Sequence, residues 1–161
     1  MNFFGISRIA GTIIVLFVLG LAAPAGAEVS RSLGQTVYVP AYSHIYYGIK
    51  ESRELFLTVT LSIRNTDPMH PLILRSVQYF NTQGAKLREY VNSPVKIPPM
   101  GTAEYIIKQF DKEGGSGANF LLRWDSTASV TDPITEAIMV GSDSQGVSFL
   151  TRGQVIEERT K

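Results

Sequence analysis

The stretch "LFLTVTLSIRN" constrains this chain more than any other, because Leu55, Leu57, Val59, Leu61 and Ile63 alternate with Phe56, Thr58, Thr60, Ser62 and Arg64. A period of two puts one set of side chains on a dry face and the other on a wet one, which is a half-buried β-strand. "NTDP" (Asn65 to Pro68) then ends the run, since Asn and Asp cap their own backbone and Pro forbids continuation. The runs "LILRSVQYFN", "KLREYV", "AEYIIKQF", "NFLLRWD", "TEAIMVG" and "VSFLTRG" are also short, rich in β-branched or aromatic residues, and bounded by turn formers. Apolar residues never recur with helical spacing over three turns beyond residue 27; Thr131 to Met139 would give one helical turn at most.

This pattern predicts an all-β domain, an antiparallel immunoglobulin-like β-sandwich of seven to eight strands, with a small β-barrel as the alternative. The expected core is Leu57, Val59, Leu61 and Ile63 from one sheet, facing Ala118, Phe120, Leu122 and Trp124 from "ANFLLRWD". Cysteine is absent, so no disulfide supports the fold and the apolar core must do so.

The N-terminus reads as an address. Arg8 precedes an apolar run that closes on Pro24 and Ala25-Gly26-Ala27, the basic start, apolar middle and small-residue exit of a secretory signal peptide. The run is shorter than the roughly 20 apolar residues of a spanning helix. The expectation is therefore a signal peptide over 1–27, a single domain over 28–161, export to the periplasm or beyond, and no membrane span after cleavage. Arg8 is the only charge in residues 1–27, so the remainder balances acidic against basic residues. That balance, with no basic run, argues against nucleic acid as a partner.

"GGSGANF" invites three chemical readings. As a dinucleotide fingerprint it has Phe120 where a third glycine belongs and a strand where a helix belongs. As a phosphate loop it lacks the lysine. As a nucleophile elbow around Ser116 it lacks a following helix and a downstream histidine. A corner using positive φ remains, with an anion-binding nest of glycine N–H groups as a second reading that Asp111 and Glu113 oppose.

Other candidates are weaker in pattern. His44, His70, Met69, Met100 and Met139 are ligand types suited to copper(I), at spacings that match no ligand motif. Asp125, Asp132, Glu136 and Asp143 would serve a hydrolase only if two converged across a cleft. "VYVPAYSHIYYGIK" concentrates Tyr38, Tyr42, Tyr46 and Tyr47; tyrosine joins apolar area to a polar tip and suits binding surfaces, though tyrosines of an edge strand also cover cores. The charged stretch "KESRE" (Lys50 to Glu54) reads as a loop without a site.

Together "VYVPAYSHIYYG", "LTVTLSIRNTDPMHP", "GGSGANFLLRWD" and "EAIMVGSDSQGVSFLTRGQVI" resemble the bacterial family known as domain of unknown function 3124, from about Val37 to Ile156. The resemblance implies a small exported or envelope-associated protein and brings no activity, cofactor or catalytic residue with it. The leading expectation is a non-enzymatic module that binds a protein or other envelope component. Its surface would be Tyr42, His44, Tyr46 and Tyr47 with Gly115, Ser116 and Gly117; no cofactor, metal or catalytic residue is assigned. The alternatives are an envelope hydrolase using loop carboxylates and a copper-binding protein using His44, His70 and methionine.

Overall fold

The computed structural model describes residues 29–142 and 146–159. The leader reading and Asp143 lie outside the described residues. Twelve strands are described: β1 (Arg31–Pro40), β2 (His44–Tyr47), β3 (Arg53–Phe56), β4 (Thr58–Arg64), β5 (Leu72–Phe80), β6 (Lys86–Glu89), β7 (Val95–Ile97), β8 (Thr102–Ile107), β9 (Asn119–Thr131), β10 (Ile134–Gly141), β11 (Val147–Arg152) and β12 (Gln154–Glu158). The first sheet runs β12-β1-β9-β5-β6, with β7 also pairing β5; the second runs β11-β10-β4-β8; β2 and β3 form a hairpin. Every pairing is antiparallel. The two sheets form a β-sandwich and do not close into a barrel.

The alternation that predicts β4 is realised, with Val59, Leu61 and Ile63 fully buried between the sheets. Phe120, Leu122 and Trp124 of β9 bury into the same core, together with Leu57 and Ala118. On β5 the inward residues are Leu72, Leu74, Val77 and Tyr79, a change of parity midway. A register shift between Leu74 and Ser76 absorbs it, since one extra residue in a strand returns the following side chains to the same face.

The strand count exceeds the seven to eight expected because the run holding β3 and β4 is divided and because β1, β2, β7 and β12 lie outside the alternating runs. Leu57 separates β3 from β4 because its N–H bonds the Ser43 carbonyl at 2.9 Å. Gly153 divides β11 in the second sheet from β12 in the first. A Cβ at Gly153 would collide with Thr135 and come within 2.7 Å of Val37, so only glycine lets the chain cross between sheets there. "KESRE" departs from the loop expectation too: Arg53 and Glu54 open β3 and pair with Tyr47 and Tyr46.

The turn after β4 becomes a buried polar knot. Asn65 donates to the carbonyls of His70 at 2.9 Å and Pro98 at 3.0 Å, and accepts from the Asp67 N–H at 3.0 Å. Asp67, only 2 % exposed, accepts from the amides of Met69 and His70, both at 2.9 Å, from Thr131 at 3.2 Å and from the Arg31 guanidinium at 3.2 Å. Two side chains thus join the β4–β5 turn, the β7–β8 turn, the start of β1 and the end of β9.

Two outcomes follow from this knot. Asn65→Ala leaves buried carbonyls unpaired and should lower unfolding free energy by about 2–4 kcal/mol in urea titrations. The carboxyl of Asp67 is held well below the usual carboxylate range, chiefly by the Met69 amide; burial opposes this, and the His70 and Thr131 amides and the His70 ring reinforce it. A depressed folded value means stabilisation that is complete above the ordinary carboxylate range near pH 4 and fades as pH falls below it. Thermal melts should show Asp67→Asn below wild type at pH 7 and the gap narrowing toward pH 2.5; a gap that widens in acid contradicts the assignment.

Candidate functional site

The β2–β3 hairpin is a strand pair laid against one end of the sandwich. Its register sets His44 opposite Phe56, Ile45 opposite Leu55, and Tyr46 opposite Glu54. Alternation therefore sends Ile45 and Leu55 onto the core and His44, Phe56, Tyr46 and Glu54 to the other face. The rings on that face form a ladder. His44 meets Tyr46 edge-on with centroids 5.1 Å apart and Phe56 at 6.2 Å, and Phe56 meets Phe110 at 5.9 Å. Lys112 lies 4.3 Å above the Phe56 ring and 3.4 Å from the Glu54 carboxylate. Tyr46 and Tyr47 are about half exposed (50 % and 47 %), Phe110 is 74 % exposed, and Ile49 at the hairpin tip is more exposed still. The tip holds unusual backbone, with Gly48, Lys50 and Glu51 all at positive φ.

Tyr42 serves differently, half-buried and packed edge-on against Phe149 at 5.8 Å. It seals the core, as the edge-strand reading of the tyrosines anticipates. Both ring nitrogens of His44 lie 3.2 Å from hydroxyls, Nδ1 from Ser43 and Nε2 from Tyr46. They are engaged within the hairpin, and Ser116 gains no base from His44.

The glycine loop does reach this hairpin. The Gly115 carbonyl accepts from both the N–H and the hydroxyl of Ser43 at 3.1 Å, and the Ala118 carbonyl accepts from the Ala41 N–H at 2.9 Å. From the opposite side, Thr82 donates to the Gly114 carbonyl through its N–H at 2.9 Å and its hydroxyl at 3.1 Å, and its hydroxyl accepts from the Gly117 N–H at 3.0 Å. The Gly115 N–H goes to the Lys112 carbonyl at 3.1 Å. With the Gly115 and Gly117 donors committed internally, the loop forms a corner instead of an anion nest. A Cβ at Gly114 would overlap the Tyr79 hydroxyl, so glycine is required there by close approach.

Ion pairs hold the same loop from below. Arg88 on β6 bonds Asp111 and, at 3.1 Å, Glu113. The Asp111 hydrogen bond, followed by the neighbouring Tyr90 hydroxyl, raises the Arg88 guanidinium pKa above its ordinary value. Burial, followed by the charge of Asp111, pushes the Tyr79 hydroxyl up as well. The Arg88 ion pairs tie β6 to the segment that follows Phe110.

The other sequence candidates fall into separate groups. Asp125 is gripped bidentately by Arg75 at 2.7 and 2.9 Å and lines a shallow cleft with Thr36, Arg123 and Glu157. Asp132 lines a second cleft with Arg64, Glu136 and Arg152, where Glu136 pairs with Arg64 at 3.3 Å. Asp125 and Asp132 thus do not converge, whereas Asp132 and Glu136 line one cleft, with Glu136 held by Arg64. His70 sits beside Asp67 at 3.3 Å, in the polar knot, while His44 is in the hairpin. Met139 is in the core, and Met69 and Met100 are exposed. No group of three or more His, Cys, Asp or Glu suited to a metal ion occurs among the described residues.

Phe56, Phe110, Lys112 and Glu54 lie on this candidate surface and were not singled out from sequence. The usable signal was Phe56, an aromatic residue on the wet face of an otherwise threonine-rich alternation, with a second unaccounted phenylalanine, Phe110, at the head of the glycine stretch.

No match is found among curated proteins. The chain is similar to a solved structure described as Thermotoga maritima 1070, at 14% identity and a TM-score of 0.45 over 78% of this chain and 97% of that one. A family model described as protein of unknown function (DUF3124) matches residues 34–156, from within β1 to within β12, and includes the hairpin, the glycine corner and the polar knot apart from Arg31. The chain belongs to that family.

Proposed function

We propose that this protein is a non-enzymatic, exported module of the bacterial envelope that binds a partner protein through the aromatic end formed by the β2–β3 hairpin and the Phe110–Lys112 segment. The observation that carries the reading is the contiguous ladder Tyr46, His44, Phe56 and Phe110, exposed at both ends and backed by the glycine corner. Exposed rings are enriched in recognition surfaces because they bury much apolar area at little cost in side-chain entropy and keep a polar tip for hydrogen bonding. Lys112 and Glu54 give the patch a charged rim, the anatomy of an interface with an apolar centre. The leader pattern supports export.

The site residues then divide by role. Tyr46, Tyr47 and Phe110 make contact. Gly115 holds the hairpin through Ser43, and Ser116 and Gly117 complete the corner. His44 orients Tyr46 through its ring nitrogen.

Affinity capture from envelope extract tests the reading. Tyr46→Ala combined with Tyr47→Ala, and separately Phe110→Ala, should lower recovery of the specific partner by roughly tenfold or more, the effect of losing central aromatic anchors. Tyr38→Ala, on the outer face of β1, should leave recovery unchanged. Equal recovery with all variants would refute the surface.

A further inference from the structure

The sandwich has two outer faces of unlike character. That of the first sheet is charged, with the Arg75–Asp125 pair, Arg123 and the Thr36–Glu157 contact. That of the second sheet is apolar across its middle. Strand register aligns Ile106 of β8, Thr60 of β4, Ile138 of β10 and Leu150 of β11 in one transverse row. Ile106 is 57 % exposed and Leu150 53 %, and Val140 adds apolar area one row along. The row on the other side reads Glu104, Ser62, Glu136 and Arg152.

Charge in this second row is patterned. Glu136 is neutralised by Arg64 at 3.3 Å, whereas Glu104 and Arg152 enter no ion pair among the described residues. They stand at opposite edges of the sheet, three strand spacings or about 14 Å apart, too far to meet within one chain.

We propose that this face packs on the same face of a second copy, related by a two-fold axis that runs along the strands between β4 and β10. Such an axis exchanges the sheet's edges while keeping each row at its own level. Glu104 then faces Arg152 of the second copy, and Arg152 faces Glu104. In the neighbouring row Ile106 meets Leu150 and Thr60 meets Ile138. Opposite charges meet at both rims and apolar side chains meet between them, the self-complementarity that an isologous interface requires. Strands of the two copies run in nearly the same direction, which matches aligned sheet packing. A two-fold across the strands through the apolar row would instead set Glu136 against Val140 and leave Arg152 without an opposite charge.

Two further facts agree. The chain's net charge is only +1, so identical copies feel little long-range repulsion. Four strands of about six residues offer a face of roughly 19 by 20 Å, or about 800 Å² over both copies, below the size of stable complexes. The dimer is accordingly weak and concentration-dependent.

Sedimentation equilibrium of the purified full-length chain, from roughly 1 to 500 µM, covers the range where an interface this small associates. The weight-average mass should climb from the monomer toward the dimer. Glu104→Arg and Arg152→Glu should each weaken dimerisation by about tenfold or more, by setting like charges face to face. The double variant should restore it to within about threefold of wild type, because opposite charges meet again at both rims. Ile106→Lys should abolish association while thermal melts show a folded monomer, and the Tyr46/Tyr47 alanine variant should dimerise as wild type does. A monomer at every concentration, a dimer indifferent to the single swaps, or a double swap that fails to restore association would each overturn the proposal.

Discussion

Asp67 is a carboxylate buried in a chain that has no disulfide to fall back on. Its oxygens receive the amides of Met69, His70 and Thr131 and the guanidinium of Arg31, and Asn65 carries the same network to the carbonyls of His70 and Pro98. A buried charge is tolerated when it is hydrogen-bonded this completely. The consequence is geometric, because four chain segments distant in sequence are fixed at one end of the sandwich by groups that cannot be released singly without leaving others unpaired. The hydrophobic core supplies the driving force for burial, and the knot decides how the turns close over it.

The opposite end is built on another principle. Glycine corners let the backbone pass where side chains would collide, and Thr82, Ser43 and Arg88 take up the polar groups that the corner exposes. No buried charge is needed there, and the aromatic residues are left facing outward on the hairpin. One end is sealed by polar saturation and the other is a rigid platform for rings. Under the proposed function, recognition through such a platform would cost little ordering entropy, since the rings are already held by their neighbours.

Most of the fold was legible in the sequence because alternation is a local property. Leu57, Val59, Leu61 and Ile63 declare β4 without reference to anything else, and Phe120, Leu122 and Trp124 do the same for β9. The tyrosine-rich segment and the glycine corner were readable as separate features, and the Ser43–Gly115 bonds bring them together. Features that depend on pairing at long range were not legible. "NTDP" reads equally well as an exposed turn, since the same Asx chemistry caps a backbone in water; burial of Asp67 follows only when Arg31 and Thr131 arrive from elsewhere. Phe110 reads as loop until Phe56 is placed beside it. The opposed charges of Glu104 and Arg152 become a pattern only when register lines up β8, β4, β10 and β11.

The central claim is that the aromatic end is the surface at which this protein meets its partner. Site-specific photo-crosslinking in living cells tests it most directly, with p-benzoylphenylalanine placed in turn at positions 46, 110 and 38 of the full chain. Specific adducts of one mass from positions 46 and 110, with none from position 38 on the outer face of β1, is the predicted result. Adducts from position 38 alone, or none from the hairpin and Phe110 while the chain remains folded, would contradict it.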